Sequence, residues 1–175
     1  MKGTINYGLW YHKNQNFQLN VYSDADCANW LDERKSTSGG AFFLGDSLVA
    51  WLSKKQSSIA FSTTEEEYIS ATACCTQVVW MIQVLADLKV KYVEPIPLHC
   101  DNTSTISISK NPVLHSKTNH IPLKYNFLKD QVANKVVHLQ YIPSTEKIAD
   151  IFTKLLSKAQ FEYLRPKLGV LPSSN

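Results

Sequence analysis

The chain has 175 residues, of which 44% are hydrophobic and 19% are charged, and its formal net charge is +3. This length supports one domain with its own core, and the mild positive charge permits a polyanionic partner without requiring one. No apolar run reaches the ~20 residues that a membrane-spanning helix needs, and we expect no membrane partner.

The predicted elements alternate between strands and helices along the chain. Three strands are expected first, with Gly39-Gly40 and Gly45-Asp46 as the breaks between them. A long amphipathic helix follows, and shorter strands and helices complete the order. The strands are predicted at 17–25, 40–45, 47–53, 96–100 and 136–142, and the helices at 64–88, 103–109, 117–133, 147–156 and 157–165. This order predicts an α/β fold with a mixed five-stranded sheet flanked by helices.

Four acidic residues arrive from four different predicted elements. Asp24 lies in a strand, where Asp is unfavourable, and Glu67 heads the apolar stripe of the long helix. Asp101 ends a strand, and Asp150 lies in the first turn of a late helix. If these carboxylates meet, they repel each other unless a cation lies between them, and hard divalent metals prefer oxygen ligands. The pattern therefore points to metal-assisted phosphodiester chemistry.

Each acid also has a purely structural interpretation. Asp24 fits a solvated edge residue about equally well, and Glu67 fits a capping box with Thr64. Asp101 fits a helix cap, and Asp150 fits a favourable charge at a helix N-terminus. Their joint placement, rather than any single residue, carries the metal hypothesis.

The cysteines and histidines point away from other site chemistries. No Cys pair has C-x-x-C spacing, and we expect free thiols in a reducing compartment. No two histidines have the i, i+4 spacing of a helical zinc site, so no zinc is expected.

Several motifs resemble the ribonuclease H domain of copia-type retrotransposon Pol polyproteins, particularly those of plants. The resemblance rests on Val21-Tyr22-Ser23-Asp24-Ala25-Asp26, Ser62-Thr63-Thr64-Glu65-Glu66-Glu67-Tyr68, Cys100-Asp101-Asn102-Thr103-Ser104 and Ala149-Asp150-Ile151-Phe152-Thr153-Lys154. It also includes Arg34-Lys35-Ser36-Thr37-Ser38-Gly39-Gly40 and Trp51-Leu52-Ser53-Lys54-Lys55-Gln56, in the family's order. The match extends from about Gly3 to Gly169.

The resemblance implies the ribonuclease H fold and cleavage of the RNA strand of RNA–DNA hybrids. It assigns the catalytic and metal-binding positions to Asp24, Glu67, Asp101 and Asp150, with two Mg²⁺ or Mn²⁺ ions as cofactors. Candidate substrate contacts are Ser38, Gln56, Asn102 and Ser104, with Lys54 and Lys55 as candidates for phosphates. The other scattered lysines, among them Lys129, Lys147 and Lys154, are expected mostly at the surface.

The same resemblance sets the expected context of the chain. Residues 1–8 are interpreted as a linker remnant from a reverse transcriptase domain, residues 9–169 as the ribonuclease H-like domain and residues 170–175 as a disordered tail. The parent polyprotein's reverse transcriptase is an expected partner. Localisation is expected in the cytoplasm, in a virus-like particle, or in the nucleus.

Departures from the family pattern leave other functions open. Pro122, Asn126 and Leu155 replace residues that are usual in the family. One alternative is therefore an inactive retroelement fragment that serves only as a nucleic-acid-binding or interaction module. A DDE integrase-type nuclease is a third possibility, and it fits the four-acid pattern less well.

Overall fold

The fold is a mixed five-stranded sheet with helices on both faces. The computed structural model describes residues 6–11, 13, 17–27, 35–111 and 123–173. The sheet has the order β4-β3-β2-β5-β6. The strands are β2 (Leu19–Asp26), β3 (Thr37–Leu44), β4 (Ser47–Lys55), β5 (Ile96–Cys100) and β6 (Val137–Tyr141). The β2, β3 and β4 strands form an antiparallel meander, whereas β5 runs parallel to both β2 and β6. The predicted α/β architecture is confirmed.

The long helix α1 (Thr63–Asp87) begins at a well-formed cap. The Ser62 side chain accepts a hydrogen bond from the Glu65 N–H, and the Glu65 carboxylate accepts one from the Phe61 N–H. Because Glu65 caps the helix, Glu67 is free to head the buried stripe. The residues of that stripe are buried as predicted: Glu67, Ala71, Cys74, Val78, Met81 and Leu85.

Two hydrophobic clusters cover the two faces of the sheet. The larger cluster packs α1 and α3 (Leu123–Ala133) against apolar residues such as Val21, Phe42 and Leu98. The smaller one joins Ala41 and Phe43 to a 3-10 segment (Ile148–Phe152) and to Leu168 after α4 (Lys158–Lys167). The short helix α2 (Thr103–Lys110) contacts α1, α3 and β6. Helical segments therefore pack on both faces of the sheet, while Val49 and Trp51 of β4 remain exposed.

Three local predictions are wrong. Val170–Pro172, predicted as disordered tail, forms a strand, β7, that pairs with β1 (Tyr7–Leu9), which includes part of the predicted linker. The segment around Asp150 is a 3-10 segment rather than an α-helix over 147–156. Gly39, predicted to lie in a break before the strand over 40–45, lies inside β3, which begins at Thr37. The predicted helix over 117–133 is described from Leu123 onward, and Pro122 lies outside the described residues.

The α1 helix also bears on the expectation of no membrane span. By length and composition alone it could cross a bilayer, since its most apolar window has a mean hydropathy of 1.5. In this fold 39% of that window is buried, and Ala71, Cys74, Val78 and Met81 of the helix pack in the core, whereas Trp80 is exposed. The core accounts for the buried stripe of the helix, and the absence of a membrane partner stays a prediction.

Gly39 allows the 3-10 segment to approach the sheet closely. A Cβ atom at Gly39 would overlap Thr153 Cγ2 and would lie 3.0 Å from the Ala149 carbonyl oxygen. Backbone atoms cannot move aside as freely as the end of a flexible side chain. The glycine is thus explained by packing of β3 against the segment that carries Asp150.

We predict that Gly39→Ala destabilises the domain by about 1–3 kcal/mol, because overpacking forces the 3-10 segment away from β3. Thermal unfolding monitored by circular dichroism measures the effect, with an expected fall in Tm of roughly 2–10 °C. Gly8→Ala is the matched control, since a Cβ there meets no atom within 4 Å. Equal Tm values for the two variants would contradict the packing argument.

Candidate metal centre

Three of the four predicted acids, Asp24, Glu67 and Asp101, meet at one end of the sheet, and the fourth, Asp150, lies on an adjoining 3-10 segment. Asp24 lies near the end of β2, and Asp101 directly follows the parallel neighbour β5, so both reach the same edge. Glu67 projects from the start of α1, and Asp150 lies in the 3-10 segment. Asp24, Glu67 and Asp150 are buried, with 1%, 5% and 3% of their surfaces exposed.

The ammonium group of Lys147 lies at the centre of three of these carboxylates. Its Nζ atom is 2.6 Å from Glu67 Oε1 and 2.7 Å from Asp101 Oδ1, and it also pairs with Asp24 Oδ1. Since all three carboxylate oxygens contact Lys147 Nζ, the distance between any two of these oxygens cannot exceed about twice the longest N–O distance. Three carboxylates from three elements therefore surround a single cation position.

The remaining acid has its own lysine. Asp150 Oδ2 pairs with Lys154 Nζ at 2.8 Å, one helical turn further along the chain. Thr153 Oγ1 donates a hydrogen bond to Asp24 Oδ2, the oxygen that does not contact Lys147. The Asp24 carboxylate thus links Glu67 and Asp101, with which it shares Lys147, to the segment that carries Asp150.

Backbone contacts fix the position of Asp24. Ser70 Oγ on α1 donates to the Asp24 carbonyl at 2.6 Å and also lies 3.2 Å from the Gly39 carbonyl. Asp101 is held by Ser144 Oγ, which donates to its Oδ2 at 2.9 Å. The carboxylates are consequently oriented by neighbours outside the acid cluster.

The electrostatics of the cluster follow from burial and from mutual repulsion. Burial raises the pKa of Glu67 to about 7, with Lys147 opposing the shift and Asp24 and Asp101 adding to it. Burial alone would lower the pKa of Lys147, but the attraction of Asp24 and Glu67 raises it above its ordinary value. Lys147 therefore remains an ammonium ion at neutral pH.

Asp101 and Asp150 shift in opposite directions. Burial opposes ionisation of Asp101, but the hydrogen bond and charge of Lys147 outweigh it and lower its pKa. Burial raises the pKa of Asp150, partly offset by Lys154 and increased by the charge of Asp24. Lys147 therefore keeps Asp101 ionised, while Asp150 is the less easily ionised of the two.

Two buried oxygens in the cluster support a fit for divalent metal. Glu67 Oε2 and Asp150 Oδ1 are buried and have no hydrogen-bond partner. An unpartnered buried carboxylate oxygen is costly unless a cation or donor meets it. Hard oxygen donors of this kind suit Mg²⁺ or Mn²⁺.

Cys100 lies beside the same carboxylates and could in principle join them. Its Sγ atom lies within 4.8 Å of ligand oxygens of Glu67 and Asp101. Burial raises the pKa of this thiol to about 12, and its soft sulfur atom is a poor match for hard divalent ions, which prefer oxygen ligands. The ligand set that remains is one of carboxylates.

The predicted substrate contacts fall into two groups. Ser38 and Gln56 are buried and bound to each other, with Gln56 Nε2 also donating to the Glu66 carbonyl at 3.0 Å. The other four lie nearer the surface. Asn102 caps α2 by accepting from the Thr105 N–H, and Ser104, Lys54 and Lys55 are exposed. Direct binding by Ser38 or Gln56 would require their hydrogen bonds to open.

Sequence reasoning missed the place of Lys147. The scattered lysines are predicted to lie mostly at the surface. Two of them, Lys147 and Lys129, are buried instead. The available signal was the position of Lys147 three residues before Asp150, in a segment that has to cross the site. The departures at Asn126 and Leu155 lie elsewhere: Asn126 is half-buried in α3, and Leu155 is fully exposed.

Known proteins support the same architecture. No protein-family model matches the chain. The N-terminal RNase H domain of Rv2228c from Mycobacterium tuberculosis, solved as a fusion with maltose binding protein, superposes with a TM-score of 0.53 at 10% identity. The superposition covers 86% of this chain and 97% of that one. At this identity the similarity shows the fold alone.

The sequence relatives are polyproteins of plant transposons. The retrovirus-related Pol polyproteins from transposons RE1 and RE2 of Arabidopsis thaliana are 34% and 33% identical over 97% and 98% of this chain. The corresponding polyprotein from transposon TNT 1-94 of Nicotiana tabacum is 34% identical over 87% of it. The chain spans about 12% of the length of the two Arabidopsis relatives. It therefore belongs to the retrovirus-related Pol polyproteins of plant transposons, of which it corresponds to a segment with the ribonuclease H fold.

Proposed function

We propose that this domain is a metal-dependent endonuclease that cleaves the RNA strand of RNA–DNA hybrids. The observation that carries the proposal is the meeting of three carboxylates from three elements at one end of the sheet, with Asp150 on the adjoining 3-10 segment. Two of their buried oxygens lack a partner, which is the chemistry that a divalent ion satisfies. The ribonuclease H fold and the Pol polyprotein relatives agree with this assignment.

The residues that would hold two Mg²⁺ or Mn²⁺ ions are the four acids. Glu67 and Asp101 would hold one ion, Asp150 the other, and Asp24 would contribute to both. When bound, such ions activate water and stabilise the leaving oxygen of an in-line phosphodiester displacement. Asp24 is suited to the shared role because its two oxygens face different partners, Lys147 and Thr153.

The exposed candidates for substrate binding lie near the end of the sheet that carries the acids. The register pairs Asp24 with Gly39 and Gly39 with Ser53, so Lys54 and Lys55 follow at the same end. Adjacent strands are about 4.8 Å apart, which puts these lysines roughly 10 Å from β2 across the sheet. Successive side chains of a strand point to opposite faces, so Lys55 lies on the face of Asp24 and Lys54 on the other face. Both lysines are proposed contacts to phosphates that flank a scissile bond. Asn102 and Ser104 are the candidates for the ribose 2′-OH of the RNA strand.

The parent polyprotein gives the proposed activity its setting. A reverse transcriptase segment of the same polyprotein is the proposed partner that supplies RNA–DNA hybrid. A second candidate function is an inactive domain that binds nucleic acid or protein only. The observation that favours this second candidate is Lys147, because a cation of the protein already lies between the acids.

We predict that Asp24→Asn and Asp101→Asn each reduce hybrid cleavage by at least about 100-fold, because each removes a ligand oxygen charge from the proposed metal pair. The assay follows cleavage of a labelled RNA–DNA hybrid in saturating Mg²⁺ or Mn²⁺. Asp46→Asn is the matched control, since Asp46 is exposed in the β3–β4 turn, away from the acids.

The outcomes separate the two candidate functions. Cleavage by the Asp24→Asn protein at the wild-type rate would remove Asp24 from the site. A wild-type protein that binds hybrid but never cleaves it, in either metal, would favour the binding-only domain.

We also predict that the domain binds hybrids weakly, with a slope of log affinity against log salt of about −3, since a small positive charge permits only a few phosphate contacts. Replacing both Lys54 and Lys55 by Gln should make that slope shallower by roughly 2. Fluorescence anisotropy at several salt concentrations provides the measurement. Lys91→Gln is the control, because Lys91 is exposed beyond the far end of α1. An unchanged slope in the double variant would exclude both lysines as phosphate contacts.

A further inference from the structure

Lys147 is the least expected residue of the site. Only 3% of its surface is exposed, and its ammonium group contacts Asp24, Glu67 and Asp101 together. Among the described ion pairs it is the one cation shared by three carboxylates, whereas Lys154 meets Asp150 alone. Its Nζ atom thus lies at the point that the three carboxylates have in common.

That point is also where a divalent ion would bind. Carboxylate oxygens around one centre are the arrangement that Mg²⁺ and Mn²⁺ require. An ammonium ion and a divalent cation cannot share the same few ångströms, because both need the same oxygens and they repel each other strongly in a buried site. The Lys147 ammonium group at this point therefore excludes a divalent metal ion, and a bound metal ion excludes the ammonium group.

The segment before Lys147 lies at the surface, so a withdrawn side chain would reach solvent. The four residues before it, Pro143 to Glu146, are exposed, and the Ser144–Glu146 turn has no side-chain cap, although Ser144 Oγ donates to Asp101. The backbone of Lys147 lies between two short 3-10 turns rather than inside a continuous helix. A rotation of this long, flexible side chain toward solvent would free the three oxygens.

We infer that Lys147 is an autoinhibitory residue of the metal centre: its ammonium group competes with the divalent ion for Asp24, Glu67 and Asp101. This inference rests on the proposed function and deepens it. Metal binds the fraction of molecules in which Lys147 has withdrawn, and the apparent metal affinity falls in proportion to that fraction. The domain is then inactive at low metal concentration although its acids are all present.

The first test measures Mn²⁺ binding by calorimetry, without nucleic acid. Lys147→Gln should bind Mn²⁺ at least about tenfold more tightly than the wild type, because the competing charge is gone. The metal-free variant should have a lower Tm, and Mn²⁺ should raise its Tm more than that of the wild type. A residue that only stabilised the fold would lower the Tm without changing the Mn²⁺ affinity.

Two further variants control for charge and location. Lys147→Arg keeps the positive charge and should retain the weak binding of the wild type. Lys158→Gln removes an exposed lysine that pairs with Glu162 at the surface, and it should leave the affinity unchanged. Equal Mn²⁺ affinity in Lys147→Gln and the wild type would overturn the inference but not the proposed function. Absence of Mn²⁺ binding in both proteins would overturn the two together.

A second measurement uses the wild-type protein and does not depend on any variant folding. Amine-reactive labelling followed by mass spectrometry reports how accessible each lysine is. Lys147 should label slowly without metal and faster as Mn²⁺ is added, while exposed Lys158 labels at a constant rate. Mn²⁺ binding without any increase in Lys147 labelling would overturn the inference.

Discussion

The charge balance at the end of β2 is the constraint on which the site depends. Two buried acids, Asp24 and Glu67, and the half-buried Asp101 surround one point, and an unpaired buried carboxylate costs several kcal/mol. The ammonium group of Lys147 offsets that cost by contacting Asp24, Glu67 and Asp101 at once. These acids come from β2, α1 and the end of β5. Lys147, which lies in the segment before α4, therefore links that segment to the sheet and to the long helix.

Neutral hydrogen bonds hold the same elements in place around that charge. Ser70 on α1 bonds the carbonyl groups of β2 and β3, and Gln56 joins the end of β4 to the first turn of α1. Thr105 on α2 donates to the Thr64 carbonyl at 3.0 Å. Buried polar contacts of this kind specify one arrangement, since breaking any of them leaves a group without a partner. These hydrogen bonds therefore position the carboxylates without a metal ion.

The sequence was sufficient for the elements with strong periodicity. The stripe from Glu67 to Leu85 predicted the buried face of α1, and the order of strands and helices predicted the mixed sheet. Features that depend on contacts distant in sequence were missed. Gly39 resembles a turn residue until the 3-10 segment packs on it, and Val170–Pro172 is a strand only because β1 lies beside it. Lys147 resembles a surface lysine until three acids surround it.

The two lysines of the cluster differ in what they contribute. Lys154 lies four residues after Asp150 with 36% of its side chain exposed, and such pairs contribute only a few tenths of a kcal/mol. Lys147 is buried, and removing one partner of a buried ion pair typically costs about 3–5 kcal/mol. The interaction that stabilises the metal-free fold is thus concentrated at the position where the proposed metal ion would bind. On this proposal, stability without metal and affinity for metal oppose each other at Lys147, the kind of conflict expected where a functional site also supports the fold.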